Sequence, residues 1–245
     1  MRENNSFTKG IKDGLPICFG YISVAFAFGI FAVESGLTVL QALLISMLNV
    51  TSAGQLAGVP IMTSGGGLIE IATTQLIINL RYSLMSVSLS QKLGKSVSLA
   101  DRFIISFVNT DEVFAVASAR REQAGKKYLY GLILTPYLGW SMGTFLGAVA
   151  GNILPEMITS ALGVAIYAMF IAIVIPPAKR EKNTAMCVIL SIILSCIFYY
   201  VPFLKSVPSG FVIIICATVA SGIFAFFAPL SPISQKEETE DRVNG

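Results

Sequence analysis

The amino-acid sequence predicts an all-α polytopic membrane protein, and three observations carry that prediction. Of 245 residues, 54% are hydrophobic and only 13% are charged, against about 25% charged in an ordinary soluble domain. The charges are gathered into short clusters between long apolar runs, which is a membrane topology pattern. Inside one of those runs, residues 103–119, stands Asn109-Thr110-Asp111-Glu112. Ionisable groups at membrane depth are costly and face a bundle interior or a wet cavity, usually with a partner. The expected organisation is about seven to eight hydrophobic segments in one integral membrane domain, residues 1–230. A charged, disordered, cytoplasmic tail, residues 231–245, follows it.

Composition also excludes much. A net charge of +3 is too small to point to nucleic acid. Histidine is absent, which removes His-based triads, imidazole metal sites and His proton relays. The four cysteines, Cys18, Cys187, Cys196 and Cys216, lie in apolar runs without CxxC spacing. They read as small buried hydrophobes, with no disulfide, no metal site and no cofactor implied.

A bilayer core takes about 20 apolar residues per helix, and on that scale the segments fall in order. The polar first twelve residues lead into a span at 15–33. It shows no small-x-small cleavage site, so it reads as a retained first helix. The second span, 38–60, is interrupted by Asn49, Thr51, Ser52, Gly54 and Gln55. A Ser64-Gly65-Gly66-Gly67 turn leads to the third, 68–89, which contains Glu70, Gln75, Asn79 and Arg81. The fourth is 103–119. The remaining spans are 128–150, 157–175, 184–204 and 209–230, with Pro155, Pro176-Pro177, Pro202 and Pro208 at turns or ends.

Lys and Arg concentrate in the N-terminal tail and at 91–102, 120–127 and 179–182; the connectors 34–36 and 151–156 carry none. Cytoplasmic loops carry the excess of Lys and Arg. Eight simple crossings from a cytoplasmic N-terminus would put the basic connector 91–102 outside. The conflict vanishes if 38–89 makes one net crossing and 103–119 dips in and returns, as irregular backbone lining a protein cavity may do. Eight plain helices with a local breach of the charge rule remain the alternative. Pro16 and Pro136, each followed by Gly and aromatic residues, hint at a faint internal repeat.

On a regular helix Asn79 and Arg81 point to nearly opposite sides. A lipid-facing Arg near mid-span is untenable, so this helix is either surrounded by protein or unwound near Asn79. Arg81 is the natural partner of Asp111 or Glu112. The pair either locks two segments together or serves a substrate, the guanidinium for a carboxylate and the acids for an ammonium or a proton. Ser52-Ala53-Gly54-Gln55 is either a substrate-contacting turn or interhelical bonding through small residues. Gly139, Gly143, Gly147 and Gly151 form a ridge for close packing, against another span or a separate small subunit.

In order along the chain, Leu15-Pro16, Ala25-Phe26-Ala27-Phe28-Gly29, Ser52-Ala53-Gly54-Gln55, Asn79-Leu80-Arg81-Tyr82 and Thr110-Asp111-Glu112-Val113-Phe114-Ala115 resemble the AzlC/YgaZ family. That is the family of large subunits of branched-chain amino acid exporters. The resemblance implies efflux of valine, leucine, isoleucine or similar amino acids, and pairing with a small, very hydrophobic AzlD/YgaH-type subunit. It carries over Gln55, Asn79, Arg81, Asp111 and Glu112 as the polar signature, with Ser52, Asn109 and Thr110 beside them. This chain departs from members that have Asp and His where Asn79 and Tyr82 stand.

The reading is an ion-gradient-driven exporter subunit of the plasma membrane, both termini cytoplasmic, and not an enzyme. Its rivals are a structural or assembly subunit, and an intramembrane aspartyl-type enzyme for which Glu70 would be the other acid.

Overall fold

The structure, a computed structural model, describes residues 5–94, 96–120, 122–155, 157, 171, 174–176, 178–179 and 181–227. The predicted span 157–175 lies almost wholly outside the described residues, and the tail 231–245 wholly so. The chain divides into two compact units, Met1–Met169 and Phe170–Gly245.

The first unit is built on two long helices, α1 (Phe7–Glu34) and α7 (Lys126–Ile153), each of 28 residues and apolar enough to span a bilayer. They run parallel. Gly10 lies against Tyr128, Gly139 against Cys18, Gly143 against Ile22 and Gly147 against Phe26, so position rises with position along both. Glycine is required at this seam. A Cβ on Gly147 would collide with the Phe26 carbonyl oxygen, and one on Gly29 with the Thr144 carbonyl oxygen. The glycine ridge therefore packs on α1, and close backbone approach of this kind holds membrane helices together.

Between α1 and α7 in sequence, the second predicted span is two half-helices, α2 (Val39–Leu48) and α3 (Ser52–Thr63). It stops at Asn49-Val50-Thr51, three residues that disfavour helix interiors. Thr51 caps α3 by accepting from the Gly54 amide at 3.4 Å. The third span is α4 (Leu68–Ser90), 23 residues and so about 34 Å long. The fourth is again two half-helices, α5 (Leu99–Phe107) and α6 (Asp111–Ser118). Plain helices through 38–60 and 103–119 are thus overturned. Of the two alternatives for the third span, unwinding near Asn79 does not occur, because α4 is continuous.

Each broken segment enters and returns on its own side of the unit, the two from opposite ends. The connectors before α5 and after α6 are stitched by a two-residue parallel bridge, Gly94 N–H to Ala124 O at 2.9 Å and Ala124 N–H to Lys92 O at 3.0 Å. Lys92 Nζ donates to the Ser118 carbonyl at 2.6 Å. The beginning of the chain joins them, since Asn5 accepts from the Gly125 amide at 2.9 Å. All the basic connectors of this unit therefore sit at one end, and the α5–α6 hairpin hangs from it. At this rim, outside the spans, the ammonium of Lys126, 2.8 Å away, and the hydroxyl and amide of Ser98 hold the Asp101 carboxyl well below the usual carboxylate range.

The α2–α3 hairpin hangs from the other end. Ala42 and Val59 share an apolar cluster with Phe28, Ala32 and Ala148, near the far ends of α1 and α7. Gly36 and Gly65 close the turns there at φ 94° and 76°, a region glycine enters without steric cost. The two hairpin tips meet at Tyr137. Its hydroxyl donates to the Met47 carbonyl at 3.2 Å, and its ring lies 6.5 Å from that of Phe107.

The second unit contains α8 (Lys182–Tyr200), a 3-10 turn (Pro202–Ser206) and α9 (Ser209–Phe227). Both helices are long and apolar enough to span, and they pack on each other. The four cysteines are free.

Single cysteines at Gln91 and Glu122, in a chain with its native cysteines replaced, will label with an impermeant thiol reagent from one face of the membrane. A cysteine at Ser64 will label from the opposite face. Labelling of positions 91 and 122 from opposite faces would refute the hairpin. Gly147→Val will cost about 2 kcal/mol or more through overpacking, read as a lowered melting temperature in detergent. Gly222→Ala, which meets nothing within 4 Å, will leave the melting temperature within the range of a neutral surface change.

Candidate functional site

Each re-entrant segment frees backbone groups at mid-depth, and each satisfies them by the same local device. The tip threonine turns back on the residue two before it: Thr51 N–H donates to Asn49 O at 2.8 Å, and Thr110 N–H to Val108 O at 3.0 Å. Its hydroxyl then caps the next half-helix, Thr110 accepting from Val113 N–H at 3.4 Å. An asparagine from each tip reaches α4. Asn49 Nδ2 donates to Gln75 Oε1 at 3.1 Å, and Asn109 Nδ2 to Ser86 Oγ at 3.1 Å. The opposed directions of Asn79 and Arg81 are thereby explained. Asn79 faces the α2–α3 hairpin and bonds Gln75 Oε1 at 3.1 Å; Arg81 faces the α5–α6 hairpin.

The ionic group assembles on that second side. Arg81 Nη1 lies 2.8 Å from Asp111 Oδ2. Its Nη2 donates to the Tyr82 hydroxyl at 3.2 Å, and the guanidinium stands 4.9 Å from the Tyr82 ring centroid. Asp111 and Glu112 are the first two residues of α6, where negative charge complements the helix dipole. Glu112 Oε2 accepts from the Tyr21 hydroxyl of α1, and the same phenol oxygen is 2.7 Å from Thr110 Oγ1. Tyr21 is buried and braced edge-on against Trp140, with centroids 5.1 Å apart. Arg81 and Asp111 are 47% and 45% exposed, so of the two settings expected from the sequence, a bundle interior or a wet cavity, the group is not sealed in the interior of this unit.

Gln55 belongs to a different cluster. Its Nε2 donates to Ser46 Oγ at 2.8 Å, and Ser46 lies 2.6 Å from Thr144 Oγ1; all three side chains are buried. This joins α3, α2 and α7 and matches the interhelical reading of that stretch. Ser52 opens α3 in a half-buried position. The structure therefore brings Arg81, Asp111, Glu112, Thr110 and Asn109 into one region and leaves Gln55, Ser52 and Asn79 beside the other tip. Gln55 Oε1, Asn79 Oδ1 and Asn109 Oδ1 are buried acceptors without a hydrogen-bond partner among the described residues, which suits an N–H donor from outside the chain. A cavity of about 290 Å³ reaches Asn109 from between α4 and α5, lined also by Ser86, Ser90, Arg102 and Ser106.

Sequence reasoning missed Tyr21, Ser46 and Tyr137. The two tyrosines carried a usable signal, because both stand near mid-span, away from the interfacial belts where aromatic residues need no further reason.

A family model described as "AzlC protein" matches residues 16–154, more than half of the chain. Over 187 residues the chain is 35% identical to an "Uncharacterized membrane protein" of Archaeoglobus fulgidus, covering 76% of this chain and 82% of that one. It is 28% identical over 190 residues to the "Inner membrane protein YgaZ" of Escherichia coli K12, covering 75% and 77%. An "Uncharacterized membrane protein" of Helicobacter pylori 26695 is 22% identical over 204 residues. No solved structure matches.

Asn109→Ala and Ser86→Ala, alone and together, will show a coupling of about 1 kcal/mol in a double-mutant cycle of thermal stability. Additive losses would mean that the tip is not anchored through this bond.

Proposed function

The chain belongs to the AzlC family, and on that premise we propose that it is the large subunit of an exporter of branched-chain amino acids. Valine, leucine, isoleucine or similar amino acids leave through it, driven by an ion gradient. The observation that carries the reading is the Arg81–Asp111 pair with Glu112 beside it, held at the tip of a re-entrant break at membrane depth. Broken helices at mid-depth are where transporters place substrate and ion sites. In this reading Arg81 gates or receives the substrate carboxylate, and Asp111 and Glu112 receive an ammonium or a proton. Apolar helix faces receive the branched side chain.

The half-exposed ion pair cannot face lipid, which supports a small AzlD/YgaH-type hydrophobic subunit as a partner of this chain. The basic connectors at one end favour a plasma-membrane orientation with both termini cytoplasmic. A purely structural subunit loses the support of the glycine ridge, which α1 occupies. An aspartyl-type enzyme is disfavoured because Glu70 is eleven positions from Arg81 on a continuous helix, about 16 Å along its axis.

Arg81→Ala and Asp111→Asn, at normal expression, will abolish export. The measurement is intracellular valine, leucine, isoleucine and methionine during peptide feeding, with and without the gene. Undiminished export by either variant would remove these residues from the site.

A further inference from the structure

We propose that Glu112 is the coupling site, where a proton and the substrate's ammonium are alternative occupants, and that Tyr21 is the positioning residue that holds Glu112 in both states. The inference rests on the exporter reading and divides its two acids. Asp111 is committed to Arg81 at 2.8 Å. Glu112 has no cation within ion-pairing distance among the described residues; its recorded partner is the Tyr21 phenol. The charged and titratable groups around it are Arg81 and Tyr82 from α4, Asp111 from α6 and Tyr21 from α1. From α7 the neighbour of this group is Trp140, which does not titrate. Arg81, Asp111 and Glu112 together carry one negative charge with Glu112 ionised and none with it protonated. A single added proton, or a single ammonium, therefore neutralises the group.

Tyr21 and Thr110 make both states tolerable. A hydroxyl is one donor and two acceptors. With Glu112 ionised, Thr110 O–H donates to Tyr21 and Tyr21 O–H donates to the carboxylate. With Glu112 protonated, its O–H donates to Tyr21 and Tyr21 O–H donates to Thr110. The chain of bonds reverses with the Tyr21 hydroxyl acting as both donor and acceptor in either state, and the brace of Tyr21 on Trp140 keeps the phenol in place through the reversal. In the cycle an O–H bond forms on Glu112 with a proton from one face and breaks to release that proton to the other. While it is formed, the ammonium has no uncommitted carboxylate to pair with, because Asp111 is held by Arg81. Proton entry and amino acid exit are thereby mutually exclusive, which is what exchange of the two requires.

The test has a substrate arm and a substrate-free arm. In inverted membrane vesicles from cells expressing the full chain, lowering pH will raise the KM for labelled leucine with Vmax little changed. Glu112→Gln will lose uptake driven by a pH gradient. Tyr21→Phe withdraws a hydrogen bond from both states, and the charge-assisted bond to the ionised carboxylate is the stronger of the two, so its pH profile will move upward. In the substrate-free arm, infrared difference spectra of the purified chain will show a titrating carboxylic acid band. That band will be absent in Glu112→Gln and shifted to higher pH in Tyr21→Phe. A pH-independent KM, gradient-driven uptake by folded Glu112→Gln, or a band that persists in that variant would overturn the proposal. A wild type without leucine flux whose Glu112 band still titrates would support the proton site and overturn the substrate reading.

Discussion

A helix that stops inside a bilayer leaves backbone donors and acceptors where no lipid can satisfy them, at a cost of several kcal/mol for each unmet group. This protein accepts that cost twice, at Asn49–Thr51 and at Asn109–Thr110, and the rest of its first unit is arranged to offset it. Threonine hydroxyls cap the resumed helices, and asparagine amides tie the tips to α4. The continuity of α4 follows from that duty. It receives one hairpin at Gln75 and the other at Ser86, eleven positions apart, and an unwound α4 could not hold both in register. Its polar residues, which lower its own fitness as a membrane span, are the price of anchoring its neighbours.

The parallel pair α1 and α7 supplies the frame. Glycines on both helices bring the backbones so close that little besides carbonyl oxygens and amides lies between them. Such a seam is rigid, and it fixes Tyr21 and Trp140 on one side and Thr144 on another. Each hairpin then meets one rigid wall, Tyr21 for the α6 side and Thr144 for the α2–α3 side. The polar contacts at membrane depth are made between this frame, the spine α4 and the two hairpins, so movement of a hairpin has to break named bonds and not merely slide apolar surface.

Much of this was legible in the chain. The conflict between eight crossings and the basic connector 91–102 located the re-entrant segments, because a charge rule and a polar break pointed to the same residues. Arg81 was legible as the partner of Asp111 or Glu112, because a charge at that depth needs one, and the structure pairs it with Asp111. Other features were not. Whether Ser52–Gln55 served substrate or packing depended on what stood opposite, and Ser46 and Thr144 are single polar residues in otherwise apolar helices with no local pattern to announce them. The position of Tyr21 near mid-span marked it as unusual, but its partners, Thr110 and Glu112, lie about ninety positions away and nothing local named them. The half-exposure of the ion pair was also illegible, because sequence periodicity reports a face of a helix and not what covers it.

The two hairpins enter from opposite ends and use matching tips, yet their resumed helices are chemically unlike. The first turn of α3 is Ser52-Ala53-Gly54-Gln55, without charge, whereas α6 begins with Asp111 and Glu112. The dipole of α6 is therefore answered by its own acids, and one of those acids is in turn answered by Arg81. The dipole of α3 has no such answer within its own sequence, and its surroundings are amides and hydroxyls that do not change charge. A proton can thus alter the electrostatics of only one tip. If the hairpins exchange roles as a site opens alternately to the two sides of the membrane, the α5–α6 hairpin is the one whose position a proton gradient can drive, and the α2–α3 hairpin follows through their shared spine and their meeting at Tyr137.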